Sequence, residues 1–177
     1  MTRSLFVALF LASTASVAQK FTVEKSNVVF FSDALIEDIT ATNKKASGIF
    51  NSDNGDIVFS IPVNAFKFAK ALMQEHFNEK YMESDKFPKA TFQGNVQGYD
   101  KTKTGLQSAK AVGKMTIHGV TREVEIPGTI TRQGSKLQFN TKFMVKLADY
   151  NIAIPQLLLQ NIAEQVEVTA DFAFKPQ

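Results

Sequence analysis

The stretch from residue 136 to residue 147, KLQFNTKFMVKL, carries the longest clean alternation of apolar and polar side chains in the chain. One face of an extended strand would hold Leu137, Phe139, Thr141, Phe143, Val145 and Leu147. The opposite face would hold Lys136, Lys142 and Lys146. Because successive side chains of a strand point to opposite faces, the stretch predicts an antiparallel strand with one buried and one solvated face.

The same period of two extends across most of the chain. Further strands are predicted near residues 21–23, 28–33, 46–51, 57–61, 90–96, 111–117, 124–126 and 166–174. Polar clusters that contain glycine, such as Asn51–Gly55 and Gln133–Ser135, separate several of these strands and are typical of turns. About eight antiparallel strands joined by short turns predict an all-β fold, either a closed barrel or a sandwich of two sheets.

The period changes after Asn64, where apolar residues recur at helical spacing. The pattern predicts one amphipathic helix over about residues 66–84, which ends before Pro88 because the residue preceding a proline avoids the helical region. The apolar face of such a helix must cover something, and the open end of a barrel is the obvious candidate. The residues on or beside that face are Phe66, Ala69, Leu72, Met73, His76, Phe77 and Tyr81.

The first 18 residues have the three parts of a secretory signal peptide. Arg3 supplies the positive charge, residues 5–12 form an apolar run, and Ser16-Val17-Ala18 supplies small residues at the cleavage site. We therefore predict a signal peptide over residues 1–18 and a single domain over residues 19–177, exported to the periplasm or released from the cell. Neither this run nor any later one approaches the roughly 20 residues that a membrane-spanning helix needs.

The composition excludes several classes of function. The chain has no cysteine, which rules out thiol catalysis and zinc–thiolate sites. Its formal charge is +3 and its lysines are scattered, so no basic patch indicates nucleic acid. No catalytic fingerprint occurs, and Glu123 and Glu125 alternate with apolar residues as on a solvated face. We therefore predict a protein that is not an enzyme.

Histidine offers little more. His76 and Glu79 are spaced to share a helix face, but a metal site needs further ligands, and none is visible. His118 stands beside Gly119, where a turn accounts for it. The sequence therefore predicts no metal site.

Phenylalanine is unusually frequent: the chain has 16 Phe and no Trp. Phe supplies a large apolar surface without a polar atom, so this richness indicates either a dense core or an apolar cavity. Composition does not distinguish these two cases.

Three blocks of sequence carry a family resemblance. They are residues 76–94, HFNEKYMESDKFPKATFQG; residues 113–126, GKMTIHGVTREVEI; and residues 143–152, FMVKLADYNI. In order and spacing the chain resembles the YceI-like family, bacterial lipocalin-like proteins that bind polyisoprenoids. It departs from the family at Ser32–Asp38, where many members carry a histidine.

The resemblance implies an eight-stranded antiparallel lipocalin-like barrel with the helix near one end and an apolar tunnel inside. It implies binding, storage or transport of a long apolar lipid, such as an isoprenoid quinone-like or fatty amide ligand, without another cofactor. Tyr81, Asp149 and Asn151 are candidate partners of a head group. The expected ligand-binding residues are Phe30, Phe59, Phe66, Leu72, Met73, Phe77, Tyr81, Phe92, Met115, Ile117, Phe139, Phe143, Val145 and Phe172.

Two matters stay open at this point. The alternative to a lipid carrier is a barrel without a cavity that serves in envelope stress or binds another protein. The oligomeric state, including a homodimer, is also open.

Overall fold

The computed structural model describes residues 19–154 and 162–177. The predicted signal peptide and the apolar run Leu157–Leu159 lie outside the described residues.

Ten strands make up most of the described chain. In order they are β1 (Lys20–Ser32), β2 (Ile39–Asn43), β3 (Ser47–Asn51), β4 (Asp56–Pro62), β5 (Lys67–Phe68), β6 (Lys89–Gln97), β7 (Gly105–Ile117), β8 (Val120–Gln133), β9 (Lys136–Lys146) and β10 (Gln165–Pro176). One short helix, α1 (Ala71–His76), continues as a wider π-helical turn (Phe77–Tyr81). Two 3₁₀ turns follow β4 and β9, at Val63–Ala65 and Leu147–Tyr150.

Eight of these strands close on themselves. The order of neighbours is β10, β9, β8, β7, β6, β4, β3 and β1, and β1 pairs with β10 to complete the ring. Every pair in the ring is antiparallel. This confirms the all-β, eight-stranded antiparallel barrel and excludes the sandwich. β2 and β5 lie outside the ring and extend the sheet from the second half of β1.

β1 is one long strand where the sequence predicts two. Its pairing with β10 shifts register between Val23 and Lys25, so an extra residue is inserted there. A bulge of this kind reverses which residues face inward. Phe21 is therefore buried at an odd position and Val28 at an even position. The break in alternation indicates a bulge, and the prediction of two separate strands is wrong.

The helix is shorter than predicted, and the π-helical turn that continues it ends at Tyr81, before the predicted end near residue 84. α1 begins at Ala71, and residues 67–68 belong to β5, which pairs with Ala41 and Thr42 of β2. Phe66-Lys67-Phe68 therefore alternates as extended chain. The two phenylalanines lie against Phe30, with ring centroids 5.4 Å and 5.6 Å away. The aromatic contacts hold this segment extended, so the predicted start at residue 66 is wrong.

The barrel is packed solid at one end. Phe21, Phe50 and Phe174 are fully buried there, and Leu137 is nearly so. The ring of Phe50 lies 5.0 Å from that of Phe139 and 6.5 Å from that of Phe174, in edge-to-face contacts that are favourable for aromatic pairs. Side chains of this size fill the interior of an eight-stranded barrel.

Candidate ligand-binding site

The other half of the barrel contains a cavity of about 330 Å³. Its size is at the lower end of the range for small-molecule sites, roughly 300–1,000 Å³. The lining is predominantly apolar and comes from eight strands, from α1 and from the π-helical turn after it. The strands whose inward side chains fill the packed end therefore surround an unfilled space in this half of the barrel.

Most of the expected ligand-binding residues lie around this cavity. Ten of the fourteen line it: Phe30, Phe66, Met73, Phe77, Tyr81, Phe92, Met115, Ile117, Phe143 and Val145.

Three of the expected residues lie deeper, outside the lining. Phe59 stacks on Phe172 with ring centroids 4.2 Å apart, and Phe139 lies 4.7 Å from Phe174. These side chains do point into the barrel, but there they meet one another in its packed half. Alternation along a strand identifies the inward face and carries no information on height along the barrel axis.

Leu72 also lies outside the lining, because 60% of it is exposed to solvent. Its neighbours Met73, His76 and Phe77 turn toward the cavity instead. The predicted helix placed Leu72 beside its apolar face. In the short α1 the inward face is narrower, and Leu72 falls on the outside.

Sequence reasoning missed several lining residues. Val166 and Val168 come from the alternating strand β10, and Ile61 comes from β4, so period two pointed to their faces. Ser32, Glu37 and Ile39 come from the end of β1, the following loop and the start of β2. The segment that holds Ser32, Glu37 and Ile39 shows no periodic pattern. Nothing in the sequence therefore indicated that these three residues line the cavity.

A cluster of four aromatic rings covers one side of the cavity. Phe30 stacks on Phe77 at 5.5 Å, and Phe66 and Phe68 lie 5.7 Å and 5.0 Å from the same Phe77 ring. The cluster joins β1, the segment around β5 and the turn after α1. It therefore fastens the helical segment over the barrel, as the sequence led us to expect.

Few polar groups reach the cavity. Glu37 is paired with Lys70, and the Ser32 hydroxyl accepts a hydrogen bond from the backbone N–H of Ala163 at 2.9 Å. Burial raises the pKa of the Tyr81 phenol. Its hydroxyl therefore stays neutral at physiological pH and remains able to donate a hydrogen bond.

The other two candidate head-group partners lie away from the cavity lining. The backbone carbonyl of Asp149 accepts a hydrogen bond from Arg122 Nε at 2.9 Å. Asn151 is exposed and adopts a left-handed conformation with φ 55°, which ends the 3₁₀ turn after β9. Both residues shape the loop beside the barrel mouth.

His118 ties three segments together at the same end of the barrel. Its Nε2 lies 3.0 Å from the Glu83 carboxylate and its Nδ1 lies 3.1 Å from the Tyr150 carbonyl oxygen. Its ring meets Phe87 edge-on at 4.7 Å. A Cβ on the following Gly119 would come within 2.5 Å of Phe87, and Gly119 has φ 73°. The His-Gly pair is thus a packed corner, which goes beyond the simple turn that the sequence indicates.

We expect His118→Ala to lower the free energy of unfolding by about 2 kcal/mol, because two partly buried partners lose a hydrogen bond. Urea denaturation measures this loss. His118→Asn is the matched control for backbone conformation, since asparagine tolerates the positive φ of 51° at this position. Equal stability of the alanine variant and the wild type would show that the bridge contributes nothing.

The structure gives no support to a metal site among the residues it describes. No group of three or more histidine, aspartate or glutamate side chains is arranged there to hold an ion. His76 faces the cavity from the end of α1.

Among the described helices, none is long and apolar enough to cross a membrane.

Comparison with known proteins identifies relatives along almost the entire domain. A family model for the YceI-like domain matches residues 20–174. The UPF0312 protein YE1254 of Yersinia enterocolitica is 24% identical over 164 aligned positions, which cover 82% of each chain.

Two solved structures share the fold. A polyisoprenoid binding domain from Saccharophagus degradans superposes with a TM-score of 0.76 at 15% identity, covering 89% of this chain and 98% of that domain. BcnA of Burkholderia cenocepacia superposes with a TM-score of 0.71 at 19% identity, covering 84% and 95%. The resemblance carried by the three sequence blocks is confirmed, and the chain belongs to the family of YceI-like domains.

Proposed function

We propose that this protein binds a long apolar lipid inside the barrel and carries or stores it in the cell envelope. The observation that carries the proposal is the apolar cavity of about 330 Å³ in one half of the barrel. A barrel without a cavity, the alternative considered from the sequence, does not fit this structure.

The physical basis is the transfer of hydrocarbon from water to an apolar wall. Each buried methylene contributes about 0.8 kcal/mol, so a handful of them stabilises a complex without any charged contact. Ordering the chain costs part of this gain. Valine, methionine and phenylalanine side chains line the site. Because these side chains have no hydrogen-bonding group, an apolar tail packed against them leaves no polar group without a partner.

A polyisoprenoid or an isoprenoid quinone-like tail is the ligand class we favour. The Saccharophagus domain with the same fold is described as polyisoprenoid binding, which supports this class over a polar ligand. Tyr81 lines the cavity, and its neutral hydroxyl would donate one hydrogen bond to a hydroxyl, carbonyl or amide head group.

The proposal includes no catalytic step. The described cavity lining shows no serine–histidine hydrogen bond; the Ser32 hydroxyl accepts one from the backbone N–H of Ala163. The Glu37 carboxylate is paired with Lys70. Binding chemistry therefore accounts for the site without an acid, a base or a nucleophile.

The test is organic extraction of the full chain, purified from its own host without detergent, followed by mass spectrometry. We expect a long-chain apolar lipid in amounts approaching the amount of protein. Extraction of the same protein after delipidation and refolding is the control for carry-over. Repeated recovery of no apolar compound would argue against the proposal.

We also propose export through the segment 1–18. Intact mass measurement on protein from the periplasmic fraction is expected to show a chain that begins at Gln19. A full-length chain confined to the cytoplasm would contradict export while leaving the binding proposal to the extraction test.

A further inference from the structure

The barrel wall is split along half its height. β8 and β9 pair from Gly128–Thr141 to Gln133–Lys136, and no further. The first half of β8 pairs only with β7, and the last part of β9 pairs only with β10, although both stretches are fully described. The two strands therefore diverge beyond Gly128 and Thr141.

Both ends of the split are fixed by hydrogen bonds. At the paired end, the Thr141 hydroxyl donates to the Pro127 carbonyl oxygen at 2.6 Å. At the mouth end, Arg122 donates to the Asp149 carbonyl oxygen at 2.9 Å. Between these two contacts lies a space of about 410 Å³.

The split is not suited to receive another strand. The Pro127 carbonyl faces β9, and the backbone nitrogen of Pro127 points the same way. This nitrogen has no hydrogen, so it offers no donor to a strand entering the split. Glu123 and Glu125 on β8 and Lys146 on β9 are exposed along its outer edges. Proline and charged side chains are the features that protect an edge from strand addition.

The inner side of the split opens toward the cavity. Met115, Phe143 and Val145 line both spaces. Val124 and Ile126 face inward from β8 and add an apolar wall. The two spaces therefore adjoin at the three shared side chains, and the charged side chains of the split are exposed at its outer rim.

We propose that this split, which we call the lateral portal, opens the cavity to the outside and accommodates the part of a lipid tail for which the cavity has no room. The inference rests on the proposed function. It specifies a ligand whose tail is too long to fit in a cavity of about 330 Å³. The excess length of the tail leaves the barrel between β8 and β9.

The experiment closes the portal with a disulfide and compares two tail lengths. The positions Glu125 and Met144 would lie opposite each other if the register of Gly128 and Thr141 continued for three more residues. We would make Glu125→Cys with Met144→Cys in a chain that has no other cysteine. A disulfide requires Cα atoms about 4.4–6.8 Å apart, so it draws the two strands together.

The probes are farnesol, which is short, and solanesol, an isoprenoid alcohol several times longer. We expect oxidation to weaken solanesol binding at least about tenfold, which corresponds to the loss of about two buried methylenes, and to leave farnesol binding unchanged. Reduction should restore solanesol binding. The same solanesol affinity in both redox states would overturn the proposal.

Thr131→Cys with Gln138→Cys is the matched control, because these residues are already paired on the same two strands. Its oxidation should change neither affinity. If the portal disulfide fails to form, Val124→Trp fills the split instead and should produce the same selective loss for solanesol; no selective loss there contradicts the portal. Failure of the wild type to bind either alcohol would instead contradict the proposed function itself.

Discussion

Phe50→Ala is expected to lower the free energy of unfolding by about 3–5 kcal/mol, the range for removal of a fully buried phenylalanine. Phe50 is 0% exposed and its ring contacts those of Phe21, Tyr99, Phe139 and Phe174. Three of these neighbours, Phe21, Phe139 and Phe174, belong to strands held in a closed ring, so they have little freedom to collapse into the hole. Urea denaturation measures the loss as a lower midpoint with an unchanged slope.

The control is Phe143→Ala, which removes the same atoms from the wall of the cavity. Phe143 already faces empty space, so the alanine loses fewer contacts, and we expect less than half the loss seen at Phe50. Similar losses at the two positions would show that both halves of the barrel are equally well packed and that the cavity is filled in solution.

The contrast between the packed half and the cavity also shows what the sequence predicts and what it leaves out. Phe139 and Phe143 stand on the same face of one alternating strand, and the pattern treats them alike. In the folded chain Phe139 belongs to the packed end and Phe143 to the cavity. Which rings meet and which surround a space depends on partners from strands far away in the sequence.

Local irregularities limited the prediction of elements in a similar way. Period two identified all eight strands of the ring, because each has a wet face and a buried face. It divided β1 at the bulge near Val23, since one inserted residue inverts the pattern. It also missed β2 and the two-residue β5, which is held extended by aromatic rings from β1 and the turn after α1.

The sequence carries almost no signal of the lateral portal. Glu123 and Glu125 alternate with Val124 and Ile126 as they would in a fully paired strand. Divergence from β9 is a property of the closed ring, in which the tilt of each strand depends on all the others. Only Pro127, at the point where pairing ends, is a residue that edge strands favour.

Met115→Trp is expected to weaken lipid binding by about tenfold or more while leaving stability nearly unchanged. Met115 lies on β7 at the wall of the cavity and is shared with the lateral portal. The indole would enter space that the lipid otherwise fills, and displacement of about two methylenes costs roughly 1.6 kcal/mol, slightly more than a factor of ten. Titration with solanesol and urea denaturation on the same protein measure the two effects.

Leu106→Trp is the matched control, because Leu106 lies on the same strand with 71% of its surface exposed. The control should bind solanesol as the wild type does. Overpacking of a filled core costs about 1–3 kcal/mol, so a Met115→Trp variant that loses this much stability would place Met115 in dense packing. Retention of both affinity and stability would mean instead that the lipid does not occupy this part of the barrel, and the carrier proposal would lose the observation on which it rests.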